Sequence, residues 1–173
     1  MIYELEKMCH QKDFDKEYAN QIMKQLDVNQ EFELLGRDKK TFLLMVAAEA
    51  ANYEMVELLL QNGANPNLVY GERYCQENVL WELQYSSEDA DEDIIRLSIA
   101  KLLLDHGASP HIKVDDEDLL KWAGFYWGNN DEGMQADYRW KFICLLEDYD
   151  CKENTRKLLS LLEDQNCNYD EWK

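Results

Sequence analysis

Three histidines, His10, His106 and His111, are the side chains of this 173-residue chain whose ordinary pKa suits acid–base work near neutral pH. None stands in a catalytic spacing: the chain has no glycine-rich phosphate loop, nucleophile elbow or HExxH helix. His106 and His111 follow a leucine-rich segment as ordinary loop residues. Carboxylates are abundant, 36 Asp and Glu against 18 Lys and Arg, so adjacency alone does not make a general acid and base. Asp89-Ala-Asp91-Glu-Asp93 alternates like the start of a calcium loop. The glycine that should follow the third acid is missing, and Ala100 stands where a bidentate Glu belongs, so calcium is not expected. Cysteines at 9, 75, 144, 151 and 167 are odd in number and lack Cys-x-x-Cys spacing, the pattern of a reduced compartment without a zinc site. Cys9 and Cys144 read as core residues and Cys75 as a loop residue. The expectation is a non-enzymatic protein with no cofactor and no metal.

The remaining chemistry is charge recognition. The formal net charge is −18, and residues 74–118 hold twelve acids against three bases, half of that charge. The run from Glu88 through Asp89, Asp91 and Glu92 to Asp93, and a second run, Asp115, Asp116, Glu117 and Asp118, read either as solvated, self-repelling loops or as a docking surface for a basic partner. Direct nucleic-acid binding is disfavoured, because phosphate contacts need clustered Lys and Arg. No apolar run is long enough to span a membrane, and Met-Ile-Tyr-Glu-Leu-Glu is too acidic for a signal or transit peptide. A cytoplasmic location is expected.

The elements that must position these groups announce themselves by repetition. Glu54-Met-Val-Glu-Leu-Leu-Leu-Gln-Asn-Gly-Ala-Asn-Pro-Asn67 returns 44 residues later as Ser98-Ile-Ala-Lys-Leu-Leu-Leu-Asp-His-Gly-Ala-Ser-Pro-His111. Met55, Val56, Leu58, Leu59 and Leu60 are too dense for a one-sided surface helix and require cover on two flanks. Gly63 and Gly107 fall just past the helix ends, where a left-handed backbone is needed. Pro66 and Pro110, the only prolines, keep the helices from resuming. Shorter helices, Phe42–Ala48 and Asn78–Gln84, precede the two copies.

This helix, turn, helix, glycine stop and extended loop resembles the ankyrin repeat, whose pattern runs TPLHLAA, then VVxLLLxxGADVN. Leu44, Ala47 and Ala48 agree with its first half, whereas Phe42, Leu43 and Met45 replace Thr, Pro and His; Leu80 fits in the second copy, and Leu83 and Gln84 replace two alanines. The family period is about 33 residues. The spacing of 44 then implies three extra residues after Asn67 and eight in the turn around residues 86–93. The resemblance implies an all-α, helix-turn-helix solenoid with irregular helical caps at both ends, a single domain over residues 1–173. Its parts are an N-terminal cap (1–36), repeat 1 (37–73), repeat 2 with the insertion 86–93 (74–113), a degenerate repeat 3 (114–153) and a C-terminal helix (154–173). Within the cap, Ile2, Leu5, Met8 and Cys9, then Phe14, Tyr18, Ile22 and Leu26, mark two amphipathic helices. Repeat 3 is traced through Asp118–Gly124, a turn at 128–133 and Tyr138–Leu146. Asn154 or Thr155 would cap the last helix, Arg156–Gln165.

The ankyrin family binds through loop tips and the positions that follow each first helix. Carried over, these are Lys39, Thr41 and Glu49, then Tyr74, Cys75, Glu77, Tyr85 and Ser86, then Asp115, Glu117, Phe125 and Tyr126. Trp81, Trp122 and Trp140 are expected in the helix stack. Tyr70, Tyr74, Tyr85, Phe125, Tyr126 and Trp127 are expected on the binding surface, as anchors between the acids. The resemblance thus implies a protein-protein interaction module. One reading is an acidic inhibitor of a basic partner, similar to bacterial immunity proteins that neutralise toxins. The other is an adaptor or host-directed effector.

Overall fold

The computed structural model describes residues 1–34, 40–71, 76–85, 87, 89–126 and 134–165, with side chains left undescribed over 124–126, 134–136 and 155–165. It is mostly helical. In chain order the helices are α1 (Ile2–Cys9), α2 (Lys16–Met23), α3 (Leu43–Glu49), α4 (Tyr53–Gln61), α5 (Val79–Glu82), α6 (Ala90–Asp105), α7 (Leu119–Tyr126) and α8 (Met134–Gln165). They run in two rows. First helices pack α1 on α3 and α3 on α5; second helices pack α2 on α4, α4 on α6 and α6 on α8. The alternation supplies the two-flank cover that the dense leucines demand, and Leu59 and Leu103 are both fully buried.

The repeated segments end identically. Gly63 and Gly107 have φ of 87° and 88°; the amides of Ala64 and Ala108 donate back to the Leu59 and Leu103 carbonyls, at 3.0 and 2.9 Å. A methyl group on either glycine would meet nothing within 4 Å, so the left-handed backbone, not space, selects glycine.

The long loops are not wholly irregular. Strand β1 (Phe32–Glu33) pairs antiparallel with β2 (Lys40–Thr41), and β3 (Lys113–Val114) with β4 (Glu117–Asp118). Tyr70 and Glu77 form an isolated bridge between them in sequence. These short ladders qualify the all-α expectation: two chain segments leaving and re-entering a helix pair lie side by side and satisfy each other's backbone groups.

Side-chain ties repeat as well. The Asn29 amide donates to the Gly63 carbonyl at 3.0 Å and accepts from the Asn65 amide at 2.8 Å. Asn67 makes the same pair of bonds to Gly107 and Ser109, both at 2.8 Å. Each asparagine reaches from one loop to the glycine turn of the next helix pair. The loop bearing Asn29 therefore acts toward the turn after α4 as the loop bearing Asn67 acts toward the turn after α6, a role its sequence does not advertise. Fully buried Asn78 caps α5 by accepting from Leu80 and Trp81, and donates to the Pro66 and Leu68 carbonyls.

Several expectations are corrected. Residues Ala90–Asp93 are not loop but the first turn of α6. Residues 134–165 form one helix with no break at Asn154 or Thr155, and Asn154 instead donates to Asp150 one turn earlier. Trp140 and Tyr18 are exposed, as is Cys144, while Trp81 and Trp122 are half-buried in a tilted pair 5.9 Å apart. Cys9 is buried as expected, and burial pushes its thiol up to about 12. Cys75, Cys167 and the turn at 128–133 lie outside the described residues.

Candidate protein-interaction surface

The expected surface residues divide between two ends of the helix pairs. Loops lie at one end, and the helix-to-helix turns at the other. Helix α6 carries 16 residues between them, about 24 Å at 1.5 Å per residue.

At the loop end, Tyr70 is not a surface anchor. It is 5% exposed, packs edge-on against Phe42 with ring centroids 5.1 Å apart, and donates its hydroxyl proton to Glu77 at 2.5 Å. Burial first, and then that bond, push its pKa far up. Thr41 is buried beside it. Asp115 is half-buried and joins two neighbouring loops: its amide donates to the Gln76 side chain and its carboxylate accepts from the Gln76 amide, at 3.0 and 3.3 Å. Asp115 and Asp116 have φ of 50° and 69°, the backbone of a tight hairpin turn between β3 and β4. Only Asp116 and Glu117 point freely outward, exposed and without an ion pair among the described residues.

His111 occupies the register of Asn67 and makes the corresponding tie to α8. Its Nδ1 faces Asp118 and its Nε2 faces Asp150, each at 2.9 Å. The Asp150 bond and then the Asp118 bond raise its pKa. The histidine is structural, not an isolated base.

At the turn end, the acidic run is organised as a helix start. Asp89 caps α6 by accepting from the Asp91 amide at 2.8 Å, and Asp91, Glu92 and Asp93 fill the first turn, where the helix dipole favours negative charge. Asp93 is 9% exposed and accepts from the Ser87 amide at 2.7 Å, so it fastens the turn instead of facing a partner. Arg96 donates to the carbonyls of Tyr85 and Glu82, both at 3.2 Å; it ties α6 to the end of α5. Tyr138 donates nearby to the Leu83 carbonyl, and burial pushes its pKa up to about 12. Tyr85, Asp89 and Asp91 remain exposed and Glu92 half-exposed. Ile94 is 63% exposed and Ile95 lies beside it. The sequence reading missed both isoleucines, although two adjacent apolar residues directly after an acidic run were visible. Tyr74, Glu88 and Trp127 lie outside the described residues, as do the side chains of Phe125 and Tyr126.

Among the described residues no three His, Cys, Asp or Glu side chains converge as metal ligands, and no helix is long and apolar enough to cross a membrane. Paired helices whose leucines are covered on both flanks, each closed by a glycine turn, are the geometry of a stacked repeat. The ankyrin-repeat family model matches residues 42–70. The matched segment comprises α3, α4 and the chain to Tyr70, and its similarity to ankyrin repeats suggests a protein-protein interaction module. No curated protein matches the chain significantly.

Proposed function

We propose that the chain is a stacked ankyrin solenoid that binds a basic partner protein in a stoichiometric complex and inhibits it, in the manner of an immunity protein. The observation that carries this reading is the presentation of Asp89, Asp91 and Glu92 on a braced helix start beside exposed Tyr85. Carboxylates fixed in place lose little entropy on pairing with Lys or Arg, and a net charge of −18 steers a cationic partner to them. The same charge disfavours nucleic acid directly, while a basic nuclease-like enzyme fits it. A cytoplasmic setting suits an odd number of cysteines without Cys-x-x-Cys spacing.

The test is isolation of the bound partner from native lysate at moderate salt, followed by its affinity, on-rate and activity with the intact protein. A small basic enzyme, bound one to one and losing activity, is the expected result. Affinity and on-rate that ignore both added salt and charge reversal of Asp91 and Glu92 together with Asp116 and Glu117 would refute acidic docking. A partner that stays active when bound would make the protein an adaptor or host-directed effector.

A further inference from the structure

Aligning α4 with α6 on their shared glycine turns places Tyr53 opposite Leu97, so Ala90–Arg96 are seven residues with no counterpart in α4. Seven residues of helix extend about 10 Å. The overhang rises beside the α3–α4 turn and the α1–α2 turn, and together they enclose a groove of about 530 Å³. Ile95 walls one side, Ala50 and Ala51 contribute apolar floor, and Tyr53 faces it from α4. Asp89, Asp91 and Glu92 line the α6 rim, and Glu54 the opposite one. Lys12 and His10 also reach the groove, Lys16 pairs with Glu54 at 2.9 Å and Arg96 with Glu92 at 4.0 Å; Asp89 and Asp91 are the rim carboxylates without an ion pair among the described residues.

We infer that this groove seats a basic amphipathic helix of the partner protein, apolar face against Ile95 and Tyr53 and Lys or Arg over the acidic rims. The inference rests on the reading of the protein as a binder of a basic partner and adds where and how it binds. Three observations select this occupant. Two helical turns span about 11 Å, the length of the overhang. The α4 and α6 sides are helices whose backbone groups are bonded internally, and the lining holds no β-strand, so the groove offers no strand edge for an extended partner. The charge around an apolar trough complements a helix with one apolar and one cationic side. The bracing of Asp93 by Ser87 and of α6 by Arg96 holds the wall in place before binding.

The probe is a helical peptide about five turns long with Leu on one face and Lys on the other, compared with a peptide of equal charge carrying Gln for Leu. The intact chain should bind the Leu/Lys peptide about tenfold more tightly or better. Ile95→Gln should abolish that preference with an unchanged circular dichroism spectrum, while Asp116→Lys/Glu117→Lys should keep it. Should the isoleucine variant misfold, Tyr53→Gln on the facing wall provides the same reading. Equal affinity for the two peptides, or a preference that survives the groove variants, overturns the groove as a helix seat. Salt-dependent binding of both peptides without preference leaves the acidic binder standing; failure of both at low salt removes it too.

Discussion

Helices α4 and α6 end alike and begin differently. Both close on a left-handed glycine, with Leu59 and Leu103 fully buried and the same asparagine bridge from the preceding loop. At their starts, Ala51 has φ of 49° in the turn before α4, whereas Ile95, its counterpart 44 residues on, lies inside helix α6. Asn52 stops α4 from extending further back: it caps the helix through the Met55 amide and donates to the Cys9 and Gln11 carbonyls at 3.0 and 2.9 Å. Its counterpart is Arg96, which permits helix and reaches sideways to α5. The shared end, with its glycine turn and buried leucines, belongs to stacking. The divergent end is where the repeat acquired a projecting wall.

The strongest way to break this comparison is to truncate the shared leucines. Leu59→Ala and Leu103→Ala should each cost about 2–5 kcal/mol in denaturant unfolding, and a marked inequality would show that the two helices are not covered equivalently. Next come the bridges. Asn29→Ala and Asn67→Ala should each lower stability by about 1–2 kcal/mol; a neutral Asn29 would end its equivalence with Asn67. The divergent end is sharpened by one substitution made twice. Ala51→Gly should stabilise by up to about 1 kcal/mol, because glycine relieves the left-handed backbone at some cost in unfolded-state entropy. Ile95→Gly should destabilise by about 1 kcal/mol, because there glycine weakens a helix. Melting shifts of the same sign would contradict the structure.

The smallest effect concerns pH. At the position where two earlier loops use asparagine, a third loop uses His111, held between Asp118 and Asp150. Its folded pKa is raised above the ordinary value of about 6.5. The tie therefore contributes fully below about pH 6.5, until the carboxylates themselves protonate, and is lost as pH rises through the folded pKa. Solvent screens the partly exposed ring, so the contribution should stay under about 1 kcal/mol. Melting temperature followed from about pH 6 to pH 8 should fall more steeply in the parent chain than in His111→Asn; identical slopes would show that the imidazole contributes no more than an amide.

What could be read directly was local. Glycine stops, prolines and leucine spacing depend on residues within one turn, and they located α3, α4 and the end of α6. The candidate surface was less legible. Tyr70, Asp93 and Asp115 looked like tyrosine and acids on loops, yet each is taken up by a neighbour: Glu77, Ser87 and Gln76. Trp140 looked like core and faces solvent. Polarity and size describe a side chain, whereas exposure depends on which segment crosses it.

The sequence by itself determined that a helix pair recurs, where its second helix stops, and that most of the extra residues fall in the acidic stretch. These follow from backbone preferences and hydrophobic spacing, which short segments carry alone. Only the tertiary structure decided that Ala90–Asp93 of the insertion are helix and not loop, because Arg96 and Asp93 find carbonyl and amide partners in the chain around α5. It also divided the acids between two ends about 24 Å apart and brought Ile95 and Tyr53 to one groove. Such pairings join residues distant in sequence, and no local preference encodes them.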